Sequence, residues 1–413
     1  MTTDADTVAA EGWRRHWYPL AIGQDLGRDE VVAVSIHDHA FAFFRDADGR
    51  PRCVVDRCPH RAARLSDGAV CDGRLECLYH GWRFAGDGEC VDIPQLPESQ
   101  PIPAKASVQA FVTEEVQGLI WVWAGPPEDA DAEAIPTVPA LDAADCTSID
   151  FAIDLPYEQT FLVENVIDIA HIHVAHDGVR GGGHRDLASA IHFDIGERSA
   201  AGFKGTFRSD LAGQDGPDLK GAGLEFRAPN LVHYRSLYED SELVSGLALY
   251  SLPLGARRCR LIYRAYSNFW PLRARLRPRF VEHWTQCTIL EQDMDVVVGQ
   301  AAGIVESGAA PSELWLPLKS SDGFVLAYRR WLDAFAADWP YAVGFRRVRA
   351  APERPPEAFD RYRSHTRHCV SCSRADDVAG RLHTVLGFLV VVFLAAAAAS
   401  ATPALAWTSA GLA

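Results

Sequence analysis

The 413-residue chain carries 55 acidic against 40 basic side chains, for a formal charge of −15. A nucleic-acid binder would normally present a basic face, so that class is excluded. With 48% apolar residues and 11 tryptophans the chain can bury a large core, which excludes disorder as its main state and suggests two or three domains. Ten cysteines are too thin for a disulfide scaffold, and their clustering with histidine points to metal ligation in a reducing compartment.

Met1 to Gly12 has three carboxylates and no apolar run, unlike a secretory signal or an arginine-rich transit peptide. From Trp13 onward the spacing predicts short strands at Val31 to Ile36, Ala40 to Phe44, Cys53 to Val55 and Leu119 to Trp123, punctuated by Asp, Gly and Pro, so residues 13–124 form an all-β domain. Residues 125–146, with four prolines and repeated acids, read as a linker. A second domain, 147–350, mixes strands at Leu247 to Leu252 and Cys259 to Tyr266 with helices at Tyr157 to Ala175 and Phe280 to Ala302. A juxtamembrane segment follows at 351–382.

From Thr384 to Ala413 the chain has no charge at all. At about 1.5 Å per residue, residues 384–402 reach across roughly 30 Å of hydrocarbon, and Pro403 is a natural stop, so a single transmembrane helix is expected at 384–402. A buried core helix of this length would show a polar stripe, which is missing here. Arg361, Arg363, Arg367, Arg374 and Arg381 precede the span and nothing charged follows, which places the body of the protein on the cytoplasmic or stromal side of a bacterial or plastid membrane.

Cys58-Pro-His60 and Cys77-Leu-Tyr-His80 stand 16 residues apart. Two thiolates and two imidazoles in two short loops can hold a [2Fe-2S] cluster, Cys58 and Cys77 on one iron, His60 and His80 on the other. Zinc is the competing occupant, although zinc fingers pair Cys with Cys and His with His, whereas each loop here supplies one of each. The run Cys-x-His-x16-Cys-x2-His-Gly-Trp resembles the Rieske domain of Rieske-type oxygenases.

A Rieske cluster moves single electrons and performs no substrate chemistry, so a second centre is needed. The run Glu164 to His176 offers His171 and His176, and a carboxylate would complete a facial triad for mononuclear Fe(II). Asp168 and His171, three apart, are expected on one helical face. His171 and His176, five apart, require a widening or an end of the helix near His176, where Gly178 and Gly181 to Gly183 follow. His173 points away and reads as a packed or solvent histidine. Glu291, Asp293 and Asp295 are the candidate carboxylates. The Asp293-x6-Gln300 spacing resembles the late ligand motif of Rieske oxygenases and implies Asp293. The resemblance also gives Asp168 the role of carrying electrons between subunits, from His80 through Asp168 to His171 across a boundary in a homotrimer.

Trp13-Arg-Arg-His-Trp17, Trp284, Ser320 to Arg329, and Asp360-Arg-Tyr362-x2-His365-x3-Cys369-Val-Ser-Cys372 before the apolar tail resemble the pheophorbide a oxygenase family. Its relatives include chlorophyllide a oxygenase and the Rieske component of the chloroplast inner-envelope translocon. The resemblance implies an α+β protein: an all-β Rieske domain, then a catalytic domain of helices on an antiparallel sheet (helix-grip-like), with a C-terminal transmembrane helix. It implies a [2Fe-2S] cluster and mononuclear Fe(II), electrons from ferredoxin or a reductase, O2, and a hydrophobic substrate, a chlorophyll-derived tetrapyrrole. Another hydrophobic ring substrate is the alternative, as is a redox-sensing Rieske subunit of a membrane complex. Cys369 and Cys372 are implied to be a redox-regulatory dithiol; a small metal site with His365 and His368, or two inert thiols, are the other readings. Cys53, Cys71, Cys90, Cys146, Cys259 and Cys287 read as small buried hydrophobes.

Overall fold

The computed structural model describes residues 12–179, 182–211, 219–239, 242–349 and 360–410. Met1 to Glu11, Gly181 and residues 351–359 of the expected juxtamembrane segment lie outside the described residues.

The first half contains β1 (Trp17–Ile22), β2 (Val31–Ile36), β3 (His39–Arg45), β4 (Pro51–Val55), β5 (Ala69–Cys71), β6 (Arg74–Glu76), β7 (Arg83–Phe84), β8 (Cys90–Asp92), β9 (Ala110–Phe111), β10 (Thr113–Val116) and β11 (Leu119–Trp123). They form three antiparallel sheets, ordered β1-β11-β10, β2-β3-β4-β9 and β5-β6-β7-β8. The unbroken apolar run of β11 follows from its two partners. Ile120 and Val122 enter a core with Tyr18, Phe41 and Phe43, while Leu119, Trp121 and Trp123 point the other way into a core with Tyr250 and Ile262 of the second half.

The second half is a seven-stranded antiparallel sheet of β12 (Thr147–Leu155), β13 (Ile191–Ile195), β14 (Gly202–Ser209), β15 (Leu219–Arg227), β16 (Leu231–Tyr238), β17 (Ser245–Gly255) and β18 (Arg258–Ser267), ordered β12-β18-β17-β16-β15-β14-β13. One face carries α1 (Gln159–Ile167), α3 (Arg279–Ser307) and α4 (Gly323–Phe335), with the short α2 (Ile172–Ala175) after α1. The other face packs on the first half, so the sheet is covered on both sides and its central strands lose the polar alternation. In α3 the buried positions His283, Cys287, Leu290, Met294, Val297 and Ile304 repeat every three, four or seven residues, one stripe facing the sheet.

Buried cations tie the halves together. Arg260 pairs with Asp154 (2.6 Å) and donates to the Leu20 carbonyl (2.8 Å); Arg264 pairs with Asp150 (2.9 Å) and donates to the Gln117 carbonyl (2.6 Å). Residues 125–146 are a packed strap rather than a free linker: Ile135 and Val138 are buried, and Gln117 bonds to both the N–H and the carbonyl of Val138.

Two helix boundaries differ from expectation. The helix expected over Tyr157 to Ala175 breaks at Asp168, whose backbone is extended while its side chain accepts the Ala170 N–H at 2.9 Å. This local Asx turn outcompetes continuation of the helix. The C-terminal helix α5 (Val370–Ala410) begins well before Thr384 and continues through Pro403, so that proline bounds nothing. Over Val370–Ala397 it is long and apolar enough to cross a membrane, and Leu386, Phe388 and Phe393 on it are exposed.

Candidate metal centres and family

The two Cys/His loops are built alike. In the first, the Cys58 N–H bonds the Ala63 carbonyl (2.8 Å) and the Ala62 N–H bonds the Cys58 carbonyl (2.9 Å). In the second, the Cys77 N–H bonds the Trp82 carbonyl and the Gly81 N–H the Cys77 carbonyl, both at 2.9 Å. Each loop turns on a left-handed residue, Ala62 at φ 57° and Gly81 at φ 73°. The loops face each other: the His60 and His80 rings lie 4.4 Å apart between centroids, and the ring of Trp82 stacks on His60 at 4.7 Å. Cys58 and Cys77 are buried, with their imidazole partners nearer the surface and Leu78 and Tyr79 exposed beside His80.

This donor set fits the cluster. His60 Nδ1 is buried with no hydrogen-bond partner, as an imidazole nitrogen reserved for a metal would be. Burial pushes the Cys58 thiol up to about 11, helped by the adjacent Cys77, so thiolate character at neutral pH needs a cation.

The second centre lies under the sheet. Ligand atoms of His171, His176 and Asp293 converge within 4.8 Å of one another. Nε2 of His176 lies 3.3 Å from one Asp293 oxygen and Nε2 of His171 3.7 Å from the other, and the Asp293 carboxylate raises the His176 pKa. Asp293 is 5% exposed. The break at Asp168 restarts the chain as α2, which ends at His176, so both imidazoles flank one turn of helix and reach the same point. The helix end expected near His176 is present; the shared helical face of Asp168 and His171 is not, because no continuous helix joins them. Beyond His176, Gly182 and Gly183 fold back so closely that a Cβ at either would meet the chain at His176 or His173.

Tertiary contacts separate the three carboxylates on α3. Glu291 pairs with Arg361 (2.5 Å), Asp295 faces solvent, and only Asp293 turns inward beside the histidines. His173 packs on Gly183 and joins no ligand group among the described residues.

A residue that the sequence reading left unassigned completes the outer layer: Gln292 Oε1 lies 3.1 Å from His176 Nδ1. Its neighbour in sequence is Asp293, the only local signal for it. Asp168 faces His171 Nδ1 at 3.5 Å. Behind them, Gln300 donates to Glu164 (2.6 Å), which also pairs with the fully buried Arg329. No hydrogen bond links His80 to Asp168 within the protomer among the described residues.

The Rieske [2Fe-2S] domain family matches residues 16–111, and the pheophorbide a oxygenase family matches residues 226–310. The chain is 31% identical to pheophorbide a oxygenase of Oryza sativa subsp. japonica, over 96% of this chain and 80% of that protein. It belongs to the pheophorbide a oxygenase family of Rieske-type oxygenases. It is also similar to protein TIC 55 of Arabidopsis thaliana, 36% identical over 84% of this chain and 64% of that protein, and of Pisum sativum, 32% identical over 94% and 75%. Among solved structures, dicamba monooxygenase bound to dicamba has the same fold, with TM-score 0.64 and 22% identity over 79% of this chain and 97% of that one.

Family membership matches the two donor sets to a [2Fe-2S] cluster and a mononuclear iron. A cavity of about 870 Å³ opens from His171, His176 and Asp293, with an apolar wall that includes Phe207, Leu249, Tyr263 and Leu290. Cys369 and Cys372 lie close together as free thiols, but the histidines beside them are His365 and His283. His368, expected there, points instead to Asp154 at 3.6 Å. Of the remaining cysteines, Cys53, Cys90, Cys259 and Cys287 are buried as expected, whereas Cys71 and Cys146 are half-exposed.

Proposed function

We propose that this protein is a membrane-anchored oxygenase that uses O2 and electrons from ferredoxin or a reductase to oxygenate a chlorophyll-derived tetrapyrrole. The observation that carries the reading is the convergence of His171, His176 and Asp293 on the wall of an apolar cavity of about 870 Å³. That volume is at the upper end of ordinary small-molecule pockets and suits a large flat ring. When bound, the iron supplies O2 activation and the Rieske cluster supplies electrons singly. The protein's own residues orient the ligands, exclude water and hold the ring. Gln292 and Asp168 set the two imidazoles, and the apolar wall keeps the pocket dry.

The segment lining the cavity mouth, residues 270–277, exposes Leu272 and Leu276 beside Arg273. An apolar rim with a cation suits a lipid-soluble ring bearing a carboxylate. With the apolar helix α5 in a bilayer and the arginines before it on the cytoplasmic or stromal side, the mouth meets substrate that partitions into the membrane. The exposed Leu78 and Tyr79 suit burial against a neighbouring subunit in a homotrimer, where Asp168 would accept a hydrogen bond from His80 of the partner subunit.

Similarity to pheophorbide a oxygenase and, at 27% identity, to chlorophyllide a oxygenase of Arabidopsis thaliana supports the substrate class. The test is product formation from pheophorbide a and from chlorophyllide a with reduced ferredoxin and O2. Turnover of either supports the reading; turnover of neither, by protein holding both iron centres, rejects the tetrapyrrole and favours another hydrophobic ring.

A further inference from the structure

Four donor atoms outside the oxygenase centre meet where the C-terminal helix joins the body of the protein. His283 Nδ1 lies 3.2 Å from His365 Nε2, 3.4 Å from Cys369 Sγ and 3.4 Å from Cys372 Sγ; His365 Nε2 lies 3.2 Å from Cys372 Sγ. His283, His365 and Cys369 are 1%, 2% and 4% exposed. Tetrahedral zinc bonds of about 2.0–2.1 Å to nitrogen and 2.3 Å to sulfur would set ligand atoms about 3.3–3.8 Å apart, close to the spacing here.

The outer nitrogens sharpen the case. His283 Nε2 lies 2.9 Å from the Asp150 carbonyl, and His365 Nδ1 lies 2.6 Å from the Ala152 carbonyl, both on β12. A carbonyl only accepts, so each of these nitrogens carries the proton. For neutral rings the two inward nitrogens then face each other with lone pairs and no hydrogen between them. A cation at the centre removes that repulsion, and an imidazole whose far N–H is held by a backbone carbonyl is the usual outer layer of a metal site.

We propose that His283, His365, Cys369 and Cys372 form a closed tetrahedral site for a zinc ion, separate from the cluster and the mononuclear iron. Two thiolates and two imidazoles with no open position are a structural zinc set. Binding releases the two thiol protons to solvent. The site joins α3, the segment before α5, and the first turn of α5, and it sits on two carbonyls of β12. Asp25 of the Rieske half closes the same junction, bonding Arg279 (3.0 Å) and accepting the Val370 N–H (3.2 Å). The zinc therefore fastens the root of the membrane helix to the catalytic sheet.

The experiment is metal analysis of the full-length protein in detergent, expressed in zinc-replete medium and kept reduced, together with zinc-edge X-ray absorption. Expected are one zinc per chain beyond the iron and a shell of two sulfurs and two nitrogens. Cys372→Ser and His283→Ala should lower zinc at least 10-fold with the Rieske EPR signal intact, and Cys372→His, which keeps a donor, should retain it. If the truncating variants fail to fold, mercurial titration of the wild-type thiols should still release one zinc per chain. Wild-type protein without zinc, or alkylation of Cys369 and Cys372 with no metal released, overturns the site in favour of a free dithiol. Neither outcome depends on the substrate.

Discussion

The Asp168 carboxylate lies 3.5 Å from Nδ1 of His171, while the other nitrogen of that ring points at Asp293. Asp168 thus approaches the proposed iron ligand set from outside, on a carboxylate that is still partly open to solvent. Asp168→Asn should leave cluster and mononuclear iron contents near wild type and slow single-turnover product formation by about 10–100-fold. Iron analysis beside EPR and rapid quench checks this; loss of the mononuclear iron instead would mean that Asp168 serves only to hold His171.

Gln292 is the corresponding support for His176. Its carbonyl oxygen accepts from Nδ1–H and fixes the tautomer that leaves Nε2 for the metal. Gln292→Leu should weaken mononuclear iron binding about 10–100-fold without changing the Rieske spectrum. Competition with a graded iron chelator measures it, and an unchanged affinity would remove Gln292 from the outer layer.

Arg329 is completely buried and pairs with Glu164, bonds Thr160 Oγ1 at 3.3 Å and donates to the Val343 carbonyl. Arg329→Met strands the Glu164 carboxylate in the core between α1, α3 and α4, and should destabilise the protein by roughly 3–5 kcal/mol. Adding Glu164→Gln should recover part of that loss in denaturant titrations, since the uncompensated charge goes with it.

Glu158 caps the N-terminus of α1 by accepting the Thr160 N–H at 3.0 Å, yet burial raises its pKa from 4.5 to about 7. The folded state therefore holds its proton more tightly than the unfolded chain. This contribution to stability is full below about 4.5 and is lost as pH rises through about 7. Glu158→Gln keeps a capping oxygen and removes the titration, so it should flatten stability against pH across that window and stabilise the protein at pH 8, by on the order of 3 kcal/mol at most. Parallel melts of both forms from pH 5 to 8 decide it.

Much of this protein is set by local chemistry. The paired Cys/His loops were legible because their ligands sit within a few residues of one another and a short loop with one left-handed residue can only present them together. The strands at 31–36 and 119–123 follow from short β-branched and aromatic runs bounded by Asp, Gly and Pro, and the apolar tail from the absence of charge. Other features needed the third dimension. Asp293 is singled out from Glu291 and Asp295 only by the resemblance of Asp293-x6-Gln300 to a known ligand motif; nothing physical in the local sequence separates three acids within five residues, and it is the packing of α3 that turns Asp293 inward. The break at Asp168 arises from competition between a helix and an Asx turn too close to decide locally. His283 lies 86 residues before Cys369, so only the packing of α3 beside β12 and the root of α5 brings its ring to the two thiols in place of His368. Spacing governs groups that one stretch of backbone holds; groups drawn from distant stretches meet only where burial of a shared core forces them.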